Sequence, residues 1–307
     1  MSASAALLLA LLSAFGGVRH GDDPDEVVEP LERVEKLWDL GTFTEGGATA
    51  ADGSILFSDI GDRIMRFNPS TGETKVFREP SGRANGMIFD GQGRLIVAEG
   101  ANTGGGRRIS ITDLDGECRT LADRFEGKRF NSPNDVTIDA KGRVYFSDPR
   151  YVGDESRELD FEGVFRIDPD GRVTRLETTA TKPNGLVVSP DGKTLYIADN
   201  GGQRRALLAV DLDAKGDASN PRVLQEFGPD AGIDGMTIAV DGRIVAATAK
   251  GAVVFSPEGK RLALIPTPEA AANVEFGGDD GQILYILAGK SLYRIPTTMT
   301  GYRVTRR

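Results

Sequence analysis

Short apolar runs separated by glycine-containing turns recur along the whole chain. Runs of four to six residues rich in Val, Ile, Leu, Phe and Tyr are followed by turns such as Pro190-Asp191-Gly192, and another short run follows each turn. A polar residue followed by Gly is a strong hairpin signal, because Gly accepts a positive φ at little cost. The pattern predicts short antiparallel strands, and no long amphipathic helix competes with them.

One unit of this pattern occurs six times. Each unit begins with an acidic or amide residue and carries a Gly eight positions later, and the starts lie 40, 49, 50, 50 and 39 residues apart. A second hairpin follows in most units, so each unit supplies four strands. We therefore predict an all-β fold, a six-bladed β-propeller with four-stranded antiparallel blades around a central channel. The starts are Glu45, Asn85, Asn134, Asn184, Asp234 and Asn273, and the glycines are Gly53, Gly93, Gly142, Gly192, Gly242 and Gly281.

The repeats favour one propeller domain over residues 31–307. We expect residues 31–37 (LERVEKL) to close the ring as the outermost strand of the last blade, with residues near 302–305 as the alternative. Residues 1–20 contain an apolar run too short to span a bilayer, and its small residues Ala14 and Gly16 are suited to cleavage. This indicates a signal peptide and export to the periplasm or the cell exterior, although the segment before the run lacks Lys and Arg. An uncleaved anchor or a misassigned start is the alternative, and residues 21–30 are expected to be a solvated linker.

Composition narrows the possible chemistry. The net charge is -9 with a pI near 4.9, and no stripe of Lys and Arg is present, which argues against a nucleic-acid partner. The single histidine, His20, precedes the first repeat. This excludes Ser-His-Asp catalysis and imidazole–thiolate zinc sites from the repeated region. The single cysteine, Cys118, is expected to be a small buried residue.

The repeat starts carry the candidate chemistry. Equivalent residues on the first strands of propeller blades form a ring at one mouth of the channel, and here all six offer oxygen atoms, two of them as carboxylates. Carboxylate and amide oxygens are the ligands that Ca²⁺ prefers. The ring therefore predicts one divalent cation, Ca²⁺ first, with Mg²⁺, Mn²⁺ or Zn²⁺ as alternatives. The competing interpretation is that these side chains only end strands and cap turns.

Four motifs carry a resemblance to a known family. They are Glu45-Gly46, the run Asn131-Ser132-Pro133-Asn134-Asp135 followed by Phe146-Ser147-Asp148-Pro149, Pro183-Asn184-Gly185, and Asp234-Gly235-Met236. In this order and spacing, over residues 31–296, they resemble the family of gluconolactonase, regucalcin (senescence marker protein) and luciferin-regenerating enzyme. The resemblance implies a six-bladed propeller with one divalent ion and hydrolysis of a small-molecule lactone.

The same resemblance implies roles for individual residues. Glu45, Asn184 and Asp234 match the metal ligands, and Asn134 matches a residue that lies at the metal or contacts substrate. The chain departs from the family in two places. Its first motif reads Glu45-Gly46-Gly47, where the family has Glu-Gly-Pro, and Ser132 stands where animal members have a sugar-binding Arg.

For catalysis, Asp234 is the candidate base that takes a proton from the attacking water, while Glu45 serves as a ligand. Candidate substrate-binding residues are Asn85, Asn131, Asp135 and Asp148. For Asp148 a structural role at a strand end is the alternative, since Asp59 and Glu99 occupy equivalent positions, and for Asp135 it is a turn cap. Arg150 and Tyr151 are candidates for setting specificity. The alternative function is a non-catalytic propeller that binds a ligand or a protein partner.

Overall fold

In the computed structural model, the described residues are 19–20, 27–28, 32–102, 104–202, 205–229 and 231–304. Their strands form six antiparallel blades in a propeller, which confirms the predicted fold. The first two strands, β1 (Arg19–His20) and β2 (Glu35–Trp38), belong to blades that are completed late in the chain.

The remaining strands follow in order. Blade 1 contains β3 (Thr44–Thr49), β4 (Ile55–Asp59), β5 (Arg63–Asn68) and β6 (Glu73–Arg78). Blade 2 contains β7 (Ala84–Phe89), β8 (Leu95–Glu99), β9 (Arg108–Thr112) and β10 (Cys118–Ala122), and a small hairpin follows as β11 (Arg124–Phe125) and β12 (Lys128–Arg129). Blade 3 contains β13 (Val136–Ile138), β14 (Val144–Asp148), β15 (Gly163–Ile167) and β16 (Val173–Arg175).

Blade 4 contains β17 (Pro183–Val188), β18 (Thr194–Asp199), β19 (Arg205–Leu212) and β20 (Ala218–Phe227). Blade 5 contains β21 (Ile233–Ile238), β22 (Ile244–Thr248), β23 (Gly251–Phe255) and β24 (Arg261–Pro266), and β1 pairs with the outer edge of β24. Blade 6 contains β25 (Ala271–Gly277), β26 (Ile283–Ala288) and β27 (Ser291–Pro296), with β2 as its outermost strand.

The repeat glycines form the turns between the first and second strands. All six have positive φ, between 70° and 89°, as the hairpin signal requires. The strands differ in burial according to their place in the blade. The second strands β4, β8 and β14 are buried throughout, whereas the outer strands β6 and β20 alternate between exposed and partly buried residues. This is the pattern expected when blades pack face to face and their outer edges meet water.

The ring closes between the first and last blades. Strand β2 pairs with β27 in the register Glu35 opposite Arg294, so the predicted segment closes the ring, although its strand runs over Glu35–Trp38 rather than over residues 31–37. At the inner edge, the Thr44 hydroxyl donates to the Ser291 carbonyl at 2.9 Å, and the Thr49 hydroxyl donates to the Phe276 carbonyl at 2.6 Å.

Neighbouring inner strands approach each other at glycine. A Cβ atom at Gly46 would lie 2.6 Å from the Asn85 carbonyl carbon, and one at Gly185 would lie 2.9 Å from the Cα atom of Gly235. Such distances are shorter than those of real Cβ contacts, so these blades could not come this close with any side chain at either position. Gly86 meets the backbone of Asn134 and Asp135 in the same way, whereas Gly235 meets the side-chain amide of Asn273.

Two sequence-based expectations are wrong. Cys118 begins the outer strand of blade 2 and is exposed, because this strand lies at the wet edge of the propeller. Within the predicted solvated linker, Val27 and Val28 are each only 1% exposed and pack against the core of blades 5 and 6. Their apolar side chains gain more from burial than from solvation.

The predicted signal peptide lies outside the described residues, apart from the backbone of Arg19–His20, so cleavage and export stay predictions. Within the residues that the structure describes, no helix has the length and apolar character needed to cross a membrane.

The close approach at glycine gives a direct test of blade packing. Replacing Gly185→Ala should lower the free energy of unfolding by about 1–3 kcal/mol, because the new methyl group meets the backbone of the next blade. Thermal and urea unfolding would measure the change. Gly228→Ala is the matched control, since a Cβ there meets nothing within 4 Å and should shift stability by less than about 0.5 kcal/mol. Equal effects of the two substitutions would contradict the packing argument.

Candidate functional site

The six repeat starts lie at equivalent places on the innermost strands, at one end of the channel. Five of them stand on the first strand of their blade, and Asn134 precedes β13 by two residues. We call these six residues the channel ring: Glu45, Asn85, Asn134, Asn184, Asp234 and Asn273.

Strand pairing is irregular where the ring residues stand. The register between the first and second strands shifts between Glu45 and Gly47 in blade 1, and equivalent shifts occur in blades 2, 4, 5 and 6. An irregularity of this kind re-aims a side chain that would otherwise point at a neighbouring blade. It therefore supports an orientation of the ring side chains toward the channel mouth.

Polar contacts join ring members from different blades. The Asn273 Nδ2 atom donates to Glu45 Oε2 at 3.4 Å, and the Gly46 backbone amide donates to the same oxygen at 3.0 Å. The Asn184 side chain lies close enough to the Asp234 carboxyl group to lower the pKa of that group. The fold thus brings Glu45 and Asn273 together, although they are 228 positions apart in the sequence.

The ring concentrates negative charge. Burial raises the pKa of Glu45 well above its usual value, and the charges of Asp234 and Asp135 raise it further. Burial also raises the pKa values of Asp135 and Asp234 to about 7. A carboxylate loses solvation when it is buried, and nearby like charges add to that cost.

The donor set suits a hard divalent cation. A cation beside Glu45 and Asp234 would offset both the burial and the mutual repulsion of these groups. Within the described ranges, no three Asp, Glu, His or Cys side chains are grouped so that they could hold a metal ion. An ion at the ring would therefore need the amide oxygens of Asn134 and Asn184, which is the all-oxygen chemistry that Ca²⁺ accepts.

Asp135 lies just inside the ring and joins two blades. Its Oδ1 atom accepts a hydrogen bond from the Val136 amide at 2.9 Å, and Oδ2 accepts one from the Leu186 amide of blade 4 at 3.2 Å. The side chain is 8% exposed and also lines the channel cavity described below. Asp135 thus combines the two roles that the sequence left open, since it bonds to backbone and reaches the channel.

Asp148 anchors the segment that leads to Asn134. Its two carboxylate oxygens accept hydrogen bonds from the backbone amides of Asn131 and Ser132, each at 2.7 Å, and its side chain is fully buried. These contacts favour the strand-end role over substrate contact. Asp59 in blade 1 holds the amide of Thr42 in the same way, at 2.8 Å.

Asn131 belongs to the same anchor. It is fully buried, its Nδ2 atom donates to the Phe161 carbonyl at 2.7 Å, and its own carbonyl accepts two hydrogen bonds from the Arg150 guanidinium. The Arg150 guanidinium therefore makes its hydrogen bonds within the protein interior. Asn85 is partly exposed in the ring, and its carbonyl accepts from the Ser58 hydroxyl at 2.7 Å.

A cavity of about 570 Å³ extends from the ring toward the opposite face of the propeller. Its lining includes Asp135 and Asn273 near the ring, and Glu275 and Arg303 further along. Burial raises the pKa of Glu275 to about 7, while the charge of Arg303 opposes this rise. Glu275 was not among the residues predicted from the sequence, although a charged residue among the apolar positions of an inner strand is a signal for such a site.

Glu275 also explains a departure from the family pattern. A Cβ atom at Gly47 would lie 3.1 Å from Glu275 Cβ and 3.3 Å from Leu287 Cδ1. The proline that the family usually has at position 47 would crowd both side chains. Gly47 therefore makes room for a carboxylate in the channel wall.

Comparisons with known proteins agree with the fold and the motifs. Residues 43–290 match the family described as the SMP-30/Gluconolactonase/LRE-like region. The chain is 34% identical to the gluconolactonase of Zymomonas mobilis, over 90% of this chain and 85% of that protein. It is 27% identical to pentonolactonase XacC of Haloferax volcanii, over 73% of each chain.

A solved structure shows the same relationship. XC5397 from Xanthomonas campestris, described as a gluconolactonase, superposes with a TM-score of 0.81 at 30% identity, covering 92% of this chain and 97% of that one. The matched region spans all six ring residues. The chain belongs to the SMP-30/Gluconolactonase/LRE-like family.

Proposed function

We propose that this protein is a sugar lactonase that depends on a divalent cation, with Ca²⁺ as the ion. The observation that carries the proposal is the channel ring, in which the buried Glu45 carboxylate, the partly buried Asp234 carboxylate and neighbouring amides converge at the channel mouth. The relatives named gluconolactonase and pentonolactonase support a lactone as the substrate.

Glu45, Asn134, Asn184 and Asp234 would hold the ion. When bound, a divalent cation would polarise the lactone carbonyl and stabilise the negative charge that develops on its oxygen. The chain itself supplies the proton acceptor. A carboxylate oxygen of Asp234 would take the proton from the attacking water, with the Asn184 side chain beside this carboxyl group. Asn85, partly exposed in the ring, is placed to donate a hydrogen bond to substrate.

Metal binding should be visible in stability as a function of pH. In the metal-free protein the pKa values of Asp135 and Asp234 are raised to about 7 from 3.8. The folded state therefore favours the protonated carboxyl groups, and their contribution to the free energy of unfolding is lost as pH rises through about 7. A bound cation favours the ionised forms. Ca²⁺ should therefore raise the melting temperature more at pH 8 than at pH 5.5.

Thermal unfolding with Ca²⁺ or with a chelator would measure this difference. Glu45→Gln should lose most of the response to Ca²⁺, whereas Asp170→Asn, at an exposed turn, should keep it. A melting temperature at pH 8 that does not respond to Ca²⁺ in the unmodified protein would sink the metal proposal.

The role of Asp234 can be separated from metal binding. Asp234→Asn keeps one ligand oxygen but cannot accept the proton, so turnover of gluconolactone at saturating Ca²⁺ should fall by more than about 100-fold. Calorimetry should show a smaller loss of Ca²⁺ affinity. Near wild-type turnover with full metal occupancy would assign the base to another group.

A further inference from the structure

Tyr151 and Lys182 form a pair at the ring end of the channel, between blades 3 and 4. Tyr151 follows the end of β14, and Lys182 directly precedes β17, which carries Asn184. The Lys182 ammonium lies 4.7 Å from the centre of the Tyr151 ring, and the Tyr151 hydroxyl lies 3.5 Å from the Lys182 carbonyl oxygen. The Tyr151 side chain is 42% exposed, so part of it stays open to solvent.

The pair is held beside the proposed base. The Asp199 carboxylate accepts a hydrogen bond from the Lys182 amide at 2.8 Å, which fixes the backbone that carries the ammonium. Burial raises the pKa of the Tyr151 hydroxyl, and the charge of Asp234 raises it further, which places this hydroxyl within the field of Asp234. At neutral pH the hydroxyl is therefore a hydrogen-bond donor.

Asn200 links the pair to the strand that carries Asp234. Its Nδ2 atom donates to the carbonyl of Ile233, the residue before Asp234, at 2.7 Å. The Asn200 amide also lies close enough to the Tyr151 hydroxyl to lower the pKa of that group. Its Oδ1 atom is buried and closed to a ligand, so Asn200 supports the pair rather than contacting the ligand.

Tyr151 and Lys182 have polar atoms whose hydrogen-bonding capacity the protein leaves partly unused. Among the described residues, the Lys182 ammonium forms no ion pair, and the Tyr151 hydroxyl has only a long 3.5 Å contact. The buried Arg150 differs, since its guanidinium is bonded to backbone carbonyls. Partly buried polar groups are costly when unpaired, and a ligand that supplies hydrogen-bond acceptors would satisfy them.

The charge of the surroundings indicates which ligand fits. The carboxylates of Asp234, Glu162 and Asp199 all raise the pKa of the Tyr151 hydroxyl, so negative charges outnumber the one Lys182 ammonium beside it. Neutral hydroxyl groups can accept from Lys182 and Tyr151 without adding a further negative charge.

We propose that Tyr151 and Lys182, supported by Asn200, form a subsite that binds the hydroxyl groups of a neutral polyhydroxylated lactone. The subsite determines the preference for sugar lactones over lactones without hydroxyl groups. This inference rests on the proposed lactonase function, and its residues are distinct from those that would hold the metal ion or accept the proton.

The test compares two substrates that share a six-membered lactone ring. For δ-gluconolactone, Tyr151→Phe and Lys182→Met should each lower kcat/KM by about tenfold, the loss expected for one hydrogen bond to a polar ligand. For δ-valerolactone, which lacks hydroxyl groups, the same variants should stay within about twofold of the unmodified protein. Val152→Ala, an exposed neighbour on the same loop, is the matched control and should change neither value.

Parallel losses on both substrates would assign Tyr151 and Lys182 a merely structural role and overturn the subsite, as would no loss on either. Calorimetric titration with glucitol, a polyol that cannot be hydrolysed, separates this proposal from the lactonase function. The unmodified protein should bind glucitol, and both variants should bind it about tenfold more weakly. If the unmodified protein hydrolyses neither lactone, the lactonase proposal is overturned. If it does not bind glucitol, the subsite is overturned.

Discussion

The close approach of neighbouring inner strands at glycine is the constraint on which the rest of the structure depends. Gly46, Gly86, Gly185 and Gly235 each follow a ring residue and face the backbone or ring residue of the next blade, where a Cβ atom would not fit. This contact sets the width of the channel and so the spacing of the ring side chains. After Asn134 the residue is Asp135 instead, and its carboxylate bonds to the Leu186 amide of the next blade. After Asn273 the residue is Val274, so the glycine pattern is interrupted in two of the six blades, and in one of them a third carboxylate enters the channel.

This packing brings carboxylates together in a buried place, which costs electrostatic free energy. Glu45, Asp135 and Asp234 are held near one another in a place where burial raises the pKa of each. A core selected only for stability would avoid this arrangement, because unpaired buried carboxylates destabilise the folded state. The arrangement is intelligible if a cation completes it. Binding the cation would then recover the free energy that metal-free folding gives up, which links the stability of the propeller to its chemistry.

Hydrogen bonds from backbone amides to buried carboxylates orient the segments that lead into the ring. Asp59, Asp148 and Asp199 each end the second strand of a blade and accept hydrogen bonds from backbone amides two or three residues before a ring residue. Each buried carboxylate thus ties a loop to the rigid blade. For Asp199 the tied residue is Lys182, so the device that positions Asn184 also positions the ammonium beside Tyr151. A structural feature of the repeat therefore serves the rim of the site as well.

The sequence by itself determined the blades, the turns and the membership of the ring, because these depend on local signals that repeat: short apolar runs, glycines with positive φ, and an oxygen-bearing residue eight positions earlier. The strand that closes the ring was predicted from the same repeat of four strands per blade. The tertiary structure decided what depends on contacts between blades. Burial of Val27 and exposure of Cys118 reflect where their segments lie on the propeller. The pairing of Tyr151 with Lys182 joins residues 31 positions apart, through a contact that neither local pattern encodes.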